Sequence, residues 1–184
     1  MPTDHLEGAL ADAALGDQAG IASLYRALNP VLLRYLRHHV GPVAEDVASE
    51  VWLAVAPRLA GFSGTVDQLR ALVFTVARRR TVDHYRRRGR QAPTVSFDDE
   101  FDCAGATDTE GECVARMTSQ RAVETLLRGL TEDQAEIMLL RVLGELDVEQ
   151  VAEIVGMSAG AVRVAQHRAL RRLQHTASKK VVTQ

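Results

Sequence analysis

Aromatic residues are scarce in this sequence. The 184 residues include one Trp, three Tyr and four Phe, which together make up 4% of the chain. Because β-sandwiches and barrels need aromatic and β-branched strands with frequent turns, this composition disfavours them. Hydrophobic residues still make up 46% of the chain, enough to fill a core, so a wholly disordered chain is also disfavoured. The composition therefore predicts an all-α protein.

Long apolar runs and ligand clusters are also missing. No run approaches the length needed to span a bilayer, and residues 1–10 are polar and acidic, without the core of a signal peptide. We therefore expect a cytoplasmic protein that does not insert into membranes. The chain has no P-loop, no glycine-rich nucleotide turn, no metal-ligand spacing and no nucleophile–base constellation. We expect no cofactor, no metal and no enzymatic activity.

The two cysteines, Cys103 and Cys113, are too few for a disulfide framework or a cysteine metal cage. We interpret them as free cytosolic thiols, with a redox-sensitive loop as the less favoured alternative. The scattered histidines, among them His38, His39 and His84, are expected at the surface or facing phosphates rather than in catalysis.

Charge is balanced overall, with 22 basic and 24 acidic residues, but it is unevenly distributed. Seven Arg lie within 78–90, six Arg or Lys lie within 163–180, and the stretch 98–112 between them is acidic. Arginine suits bidentate phosphate and base contacts. Since a GC-rich genome would also raise Arg and Ala, the composition leaves both explanations open.

Apolar residues recur at helical spacing through the first half of the chain. The pattern predicts helices within 6–40, over about 44–59 and over about 66–88, with Pro30 at a start or kink and Pro57 at a bend or stop. The inward residues of the first two stripes are Leu24, Leu28, Leu32, Tyr35, Leu36, Val47, Val51, Val55 and Leu59.

Periodicity stops after the arginine cluster and resumes near residue 114. Residues 91–113 contain Pro, Gly, Ser, Thr and Asp without an apolar repeat, which is typical of a linker. Helices are then predicted over 115–128 and 131–142, the second opened by a Thr131–Gln134 capping box. We predict two small helical domains, 6–90 and 114–178, joined by a flexible acidic linker over 91–113.

The stretch 146–174 has the spacing of a helix-turn-helix. A short helix over 148–155 is followed by Gly156, where a tight turn needs positive φ, and by Ser158, which can cap the next helix. Small Ala152 and Gly156 are expected to let the two helices cross closely. The inward residues predicted for the two helices are Val151, Ala152, Val155, Ala161, Val162, Ala165, Ala169 and Leu173.

The second of these helices is expected to carry DNA contacts on its opposite face. Arg and Gln read guanine and adenine edges in the major groove, and flanking Arg residues suit phosphates. The outward residues on a helical wheel are Arg163, Gln166, His167, Arg168, Arg171 and Arg172. The alternative without a function is a helical hairpin whose basic face is merely solvated. The turn, the cap and the crossing residues together favour DNA binding over this alternative.

Together these segments resemble an extracytoplasmic-function (ECF) sigma factor, the small two-domain class of bacterial RNA polymerase initiation subunits in the sigma-70 family. The resemblance rests on three blocks in this order: EDVASEVWLAV (45–55), LRALVFTVARRRTVDHYRRR (69–88) and the segment 130–173. It spans most of the chain and implies core RNA polymerase, through its β′ clamp helices and β subunit, as a partner. It further implies promoter DNA and an anti-sigma factor as partners.

The first block implies a polymerase contact. It aligns with the segment by which such factors grip the β′ clamp helices, which assigns Asp46, Ser49, Glu50 and Leu53 to core binding. These four residues are spaced i, i+3, i+4 and i+7, so they share one helical face, away from the valine stripe. An ordinary solvated face, with acidic residues favouring the helix N-terminus, is the alternative from the residues alone.

The second block implies a contact with the minus-ten promoter element. It aligns with the helix that melts and reads that element, with Arg79 and Asp83 at base-reading positions. Arg78, Arg86 and Arg87 are then expected to meet phosphates. Contacts with the minus-thirty-five element are assigned to the six outward residues of the recognition helix.

The function implied is an initiation factor that binds core polymerase and directs sequence-specific promoter recognition, without catalysis of its own. The alternative from another class is a dimeric helix-turn-helix repressor with an N-terminal helical effector domain, which would bind a palindrome unaided.

Overall fold

The structure, a computed structural model, describes residues 3–87, 89 and 127–182, with side chains for 5–87, 89 and 127–175. Those ranges contain helices and no strand, which confirms the all-α class. The helices are α1 (Thr3–Ala14), α2 (Gln18–Val40), a 3₁₀ turn (Gly41–Val43), α3 (Ala44–Leu59), α4 (Val66–Arg87), α5 (Glu132–Val142), α6 (Val148–Val155) and α7 (Ala159–Val182).

Part of what the sequence predicts lies outside the described residues. This holds for the linker over 91–113, for Cys103 and Cys113 within it, and for most of the helix over 115–128. The domain limits 6–90 and 114–178 stay a prediction. Along the described part of the chain, no helix combines the length and apolarity needed to cross a membrane.

The N-terminal half, α1 to α4, packs around the two predicted apolar stripes. The stripe residues of α2 and α3 are all buried, as predicted. Pro30 is exposed inside α2, which continues through it, so the expected helix start there is wrong. Pro57 lies within α3, two residues before its end. Buried apolar residues on both sides of Pro30, Leu28 and Leu32, hold the helix in place against the lost backbone hydrogen bond.

Helix α1 positions the start of α4. The Glu7 side chain accepts a hydrogen bond from the backbone N–H of Val66 at 3.1 Å, satisfying one of the unpaired donors at that helix end. The contact between α1 and α2 is close: a Cβ on Gly20 would lie 2.6 Å from the backbone nitrogen of Ala13. Asp17 caps α2 through the amides of residues 19 and 20. The minus-ten candidate helix is thus anchored at its N-terminus.

The C-terminal half contains the predicted helix-turn-helix. The Thr131–Gln134 capping box is present, and Asp147–Gln150 forms a second one at the start of α6. Gly156 adopts the left-handed conformation, with φ of 73°. Its expected role in a close helix crossing is wrong, because no atom outside its immediate neighbourhood lies within 4 Å of a Cβ built there. Gly156 is required by its backbone angle alone.

Candidate nucleic-acid interface

The recognition helix α7 buries one face and exposes the other. Val162 and Ala169 are buried against α5 and α6, and the other predicted inward residues of this helix, Ala161, Ala165 and Leu173, are half-buried. The Ser158 hydroxyl accepts a hydrogen bond from the Ala161 amide at 3.2 Å, which confirms the expected cap. Five of the predicted DNA contacts are exposed and Gln166 is half-buried: Arg163, Gln166, His167, Arg168, Arg171 and Arg172.

Two arginines of this helix have partners in the other helices of the same half. A guanidinium nitrogen of Arg163 lies 2.6 Å from the Glu149 carboxylate on α6, and both side chains are more than half exposed. Nη1 of Arg172 donates to Oε1 of Gln134 at 2.8 Å. Since Gln134 is buried and also caps α5, this contact fixes α7 relative to α5. The Arg163 side chain therefore faces solvent, and its contact with Glu149 can be given up at little cost. The Arg172 side chain is instead held by its hydrogen bond to Gln134.

The predicted minus-ten residues do not all share one surface of α4. Arg79, Arg86 and Arg87 are exposed, and Asp83 is half-buried one turn after Arg79. This spacing places these four residues along one side of the helix. Arg78 lies about 100° away around the helix axis and is directed toward the C-terminal half.

Arg78 belongs to a cluster around Glu136 on α5. Its Nε lies 3.4 Å from one Glu136 oxygen, which also accepts a hydrogen bond from the Tyr35 hydroxyl at 2.9 Å. The other Glu136 oxygen lies 2.7 Å from Nε2 of His39. The Glu136 side chain is only 12% exposed. One buried carboxylate therefore faces three polar groups from α2 and α4.

The charges and the burial of this cluster shift the pKa values of its titratable groups. Burial acts to raise the pKa of Glu136, but His39, Tyr35 and Arg78 together outweigh it and hold that pKa below its usual value. Burial, and then the negative charge of Glu136, raises the pKa of the Tyr35 hydroxyl well above its usual value. Glu136 is therefore ionised and Tyr35 neutral at neutral pH, the states that suit the observed hydrogen bond.

The two neighbouring histidines differ from the expectation. His38 and His39 were expected at the surface, and both are largely buried instead. Burial, with His39 adding to it, lowers the pKa of His38 to about 4, so His38 is neutral at pH 7. The Glu136 side chain of α5 reaches His39 at this end of α2, a contact that the local pattern of α2 does not reveal. The local signal in the sequence was Glu136 itself, an acid of α5 that lies between the apolar residues Ala135 and Ile137.

The predicted polymerase-contacting face on α3 lies outward. Asp46, Ser49 and Leu53 are exposed and Glu50 is half-buried, 3.7 Å from the Arg80 guanidinium. Leu53 is 76% exposed, beside the buried Trp52. The Trp52 indole donates to the Asn29 side chain on α2 at 3.0 Å, which fixes the rotation of α3. An exposed leucine flanked by two carboxylates suits a partner surface with an apolar centre and a basic rim.

No group of three or more potential metal ligands occurs in the part of the chain that the structure describes. The exposed features of the described residues include the arginine-rich faces of α4 and α7 and the mixed acidic and apolar face of α3. Such faces are chemically suited to binding nucleic acid and protein.

Comparison with known proteins identifies two regions. Residues 24–91 match the family described as sigma-70 region 2, and residues 120–173 match the family described as sigma-70, region 4. The chain is 32% identical to the ECF RNA polymerase sigma factor SigD of Mycobacterium tuberculosis, covering 95% of this chain and 84% of that protein. It is 34% identical to the ECF RNA polymerase sigma factor ShbA of Streptomyces griseus, covering 91% and 93%.

The fold is also found among solved structures. The chain is similar to CnrH, solved in complex with the cytosolic domain of CnrY, with a TM-score of 0.59 and 18% identity. The similarity covers 94% of this chain and 97% of that one, so the likeness of fold extends over both halves.

Proposed function

Since the chain belongs to the ECF RNA polymerase sigma factors of the sigma-70 family, we propose that it binds core polymerase through α3 and promoter DNA through α4 and α7. It is an initiation factor that directs promoter recognition, and the repressor alternative is not favoured. Bond formation belongs to the polymerase, so we propose a non-enzymatic protein that acts in the cytoplasm with that enzyme. The observation that carries the proposal is the presence of sigma-70 regions 2 and 4, in that order, in one chain.

The polymerase contact is proposed for Asp46, Ser49, Glu50 and Leu53. Their support is the exposed face of α3, which combines an apolar side chain with two carboxylates. A basic, partly apolar surface such as the proposed β′ clamp helices would complement this face. The resemblance extends the proposed contact to the β subunit.

The DNA contacts are proposed for two helices. On α4, Arg79 and Asp83 are proposed to read minus-ten bases, with Arg78, Arg86 and Arg87 on phosphates. On α7, the six outward residues are proposed to read the minus-thirty-five duplex. The support is the exposure of most of these residues on arginine-rich faces, while Arg78, Asp83 and Gln166 are half-buried.

An anti-sigma factor is proposed as a further partner. Membership of the family supports it, because extracytoplasmic-function factors are commonly held by such inhibitors. No surface of this chain is assigned to that partner.

The proposed function is tested by run-off transcription with sigma-free core polymerase. The unaltered chain should support transcription, whereas the double variant Asp46→Lys/Glu50→Lys should fail to co-purify with core and fail to initiate. Like charges at a basic interface cost several kcal/mol, while exposed charge changes move stability by about half a kcal/mol or less. Glu50→Lys also places a second cation beside Arg80, so the variant should keep its helical content and melt at a somewhat lower temperature.

Two outcomes would contradict the proposal. A folded double variant that binds core at wild-type affinity would show that α3 is not the polymerase contact. An unaltered chain that is dimeric by gel filtration and binds a palindrome without polymerase would favour the repressor.

A further inference from the structure

An apolar side chain, Val164, lies in the exposed face of the recognition helix α7. Val164 is 50% exposed, whereas Val162 and Ala169 of the same helix are fully buried. At 3.6 residues per turn, Val164 lies about 160° around the helix axis from Val162 and about 140° from Ala169. The valine side chain is therefore directed away from the core of the C-terminal half, in the second turn of the helix.

The positions around Val164 on this face are basic or lack a side chain. Arg168 and Arg171 follow it by one and two turns, both exposed and within about 40° of it around the axis. His167 is also exposed, about 60° to one side. Gly160 precedes Val164 by one turn, and a Cβ built on Gly160 would meet no atom closer than 4.0 Å. The surface before Val164 is therefore open, and a ligand can approach the helix closely there.

The place of Val164, rather than its exposure alone, points to a function. Single exposed apolar residues are common on protein surfaces. Exposed helix positions, however, favour Ala, Arg or Lys over valine, which is β-branched. The branch also restricts the χ1 angle of valine in a helix, so its two methyl groups lose little freedom when they contact a ligand. Val164 thus presents a rigid apolar group at the centre of a basic surface.

This combination of groups matches the major groove of DNA. The basic residues suit the phosphates that border the groove, and the first turns of a recognition helix reach base edges. Valine has no hydrogen-bonding group in its side chain, so it cannot read the donors and acceptors of those edges. The C5-methyl group of thymine is the one methyl group that the four bases present in this groove.

We propose that Val164 is a further specificity-determining residue, which selects thymine at one base pair of the minus-thirty-five element by contact with its C5-methyl group. Cytosine in the same place lacks the methyl group. Guanine and adenine would turn the N7 acceptor toward a side chain that cannot donate, which leaves that acceptor unpaired. The proposal rests on the proposed function, since it takes α7 as the helix that enters the major groove.

The experiment uses the full chain assembled with core polymerase, at one fixed salt concentration because DNA binding depends on salt. Preferred duplexes are first selected from a pool that carries a randomised segment. Each thymine of a selected duplex, on either strand, is then replaced singly by deoxyuridine, which lacks only the C5-methyl group. At one thymine this replacement should weaken binding by about fourfold, the effect expected from burying one methyl group.

Two variants connect that thymine to Val164. Val164→Ala should weaken binding to the unmodified duplex by about the same factor, and it should then be indifferent to the deoxyuridine replacement, because the contact is already lost. This variant should melt no lower than the unaltered chain, since alanine has the higher helix propensity. Leu170→Ala is the matched control. Leu170 is 42% exposed on the same helix but lies about 120° around the axis from Val164, so this variant should keep the full response to deoxyuridine.

Three results would overturn the proposal: no thymine responds to replacement in the unaltered chain, Val164→Ala keeps the same response, or Leu170→Ala loses it equally. Affinity for core polymerase is measured alongside. If Val164→Ala weakens that affinity and leaves the base preferences unchanged, Val164 contacts protein and the proposal is wrong.

Run-off transcription from the selected duplex separates this proposal from the function on which it rests. If the unaltered chain with core polymerase selects no duplex and starts no transcript, the proposed function itself is contradicted. If selection and transcription are normal but Val164→Ala responds to deoxyuridine as the unaltered chain does, only the role of Val164 is contradicted.

Discussion

Arg78 and Arg163 each lie beside a glutamate, and the two pairs differ in almost every other respect. Glu136 reaches Arg78 from the other half of the chain and is 12% exposed, with Tyr35 and His39 as further partners. Glu149 reaches Arg163 from the preceding helix, and both side chains are more than half exposed. Removing the partners of a buried carboxylate costs much folding free energy, because the charge is then left without compensation. Breaking an exposed ion pair costs little, because water replaces the lost contact. The first pair therefore joins the two halves of the chain, whereas the second joins two neighbouring helices of the C-terminal half.

The largest effect should come from breaking the buried pair. Glu136→Ala leaves Arg78 and His39 facing a cavity, and removal of one partner of a buried ion pair typically costs about 3 kcal/mol or more. Denaturant unfolding should show this loss at neutral pH, either as one weaker transition or as two separated ones. An unchanged unfolding curve would mean that the carboxylate contributes nothing to the contact between the halves.

Lowering the pH should reduce the free energy of unfolding through groups in the same region. The lowered pKa of His38, about 4, means that the unfolded chain binds more protons than the folded chain between about pH 4 and 6.5. The lowered pKa of Glu136 acts in the same direction at still lower pH. Stability should therefore fall as pH decreases, by about 2–3 kcal/mol from His38 alone.

The His38→Leu variant separates the two contributions. Thermal melts across this pH range should show a smaller loss between pH 6.5 and 4, with the loss from Glu136 retained below. If the variant keeps the full pH dependence of the unaltered chain, His38 is not the group that titrates.

A smaller effect is expected on the exposed recognition helix. Arg163→Ala should cost about 1–3 kcal/mol at a matched minus-thirty-five duplex if Arg163 makes a bidentate base contact. Arg172→Ala should instead weaken all sequences similarly and lower the salt dependence of binding. Titrations of matched and mismatched duplexes at two salt concentrations distinguish these outcomes. If both variants lose the same affinity for every sequence, Arg163 contacts only phosphate and no base.

The smallest effect is expected from the partner of Arg163. Glu149→Ala removes an exposed carboxylate, and exposed pairs contribute about 0–1 kcal/mol. Its unfolding free energy should stay within about half a kcal/mol of the unaltered chain. If the change to Ala lowers the free energy of unfolding equally at Glu136 and Glu149, burial does not distinguish the two ion pairs.

Local spacing was sufficient for the helices and for the face that each one exposes. The valine stripe of α3 predicts its buried side, and the same wheel leaves Asp46 and Leu53 outward. The Thr131 capping box and the Gly156 turn were predicted because each depends on residues within three or four positions. The helix start predicted at Pro30 is wrong, since packing on both sides of Pro30 outweighs its local preference, whereas Pro57 lies in the last turn of α3.

Sequence alone determined the all-α class, the helix-turn-helix and the family, because helical period, caps and motif order are properties of neighbouring residues. The partner of Arg78 could be found only in the tertiary structure, since Glu136 lies 58 positions further along the chain. The same holds for the contact of His39 with Glu136, because the two residues lie on helices far apart in the sequence. Spacing predicts which way a side chain points on its own helix, but a buried charge finds its partners only when separate helices pack together.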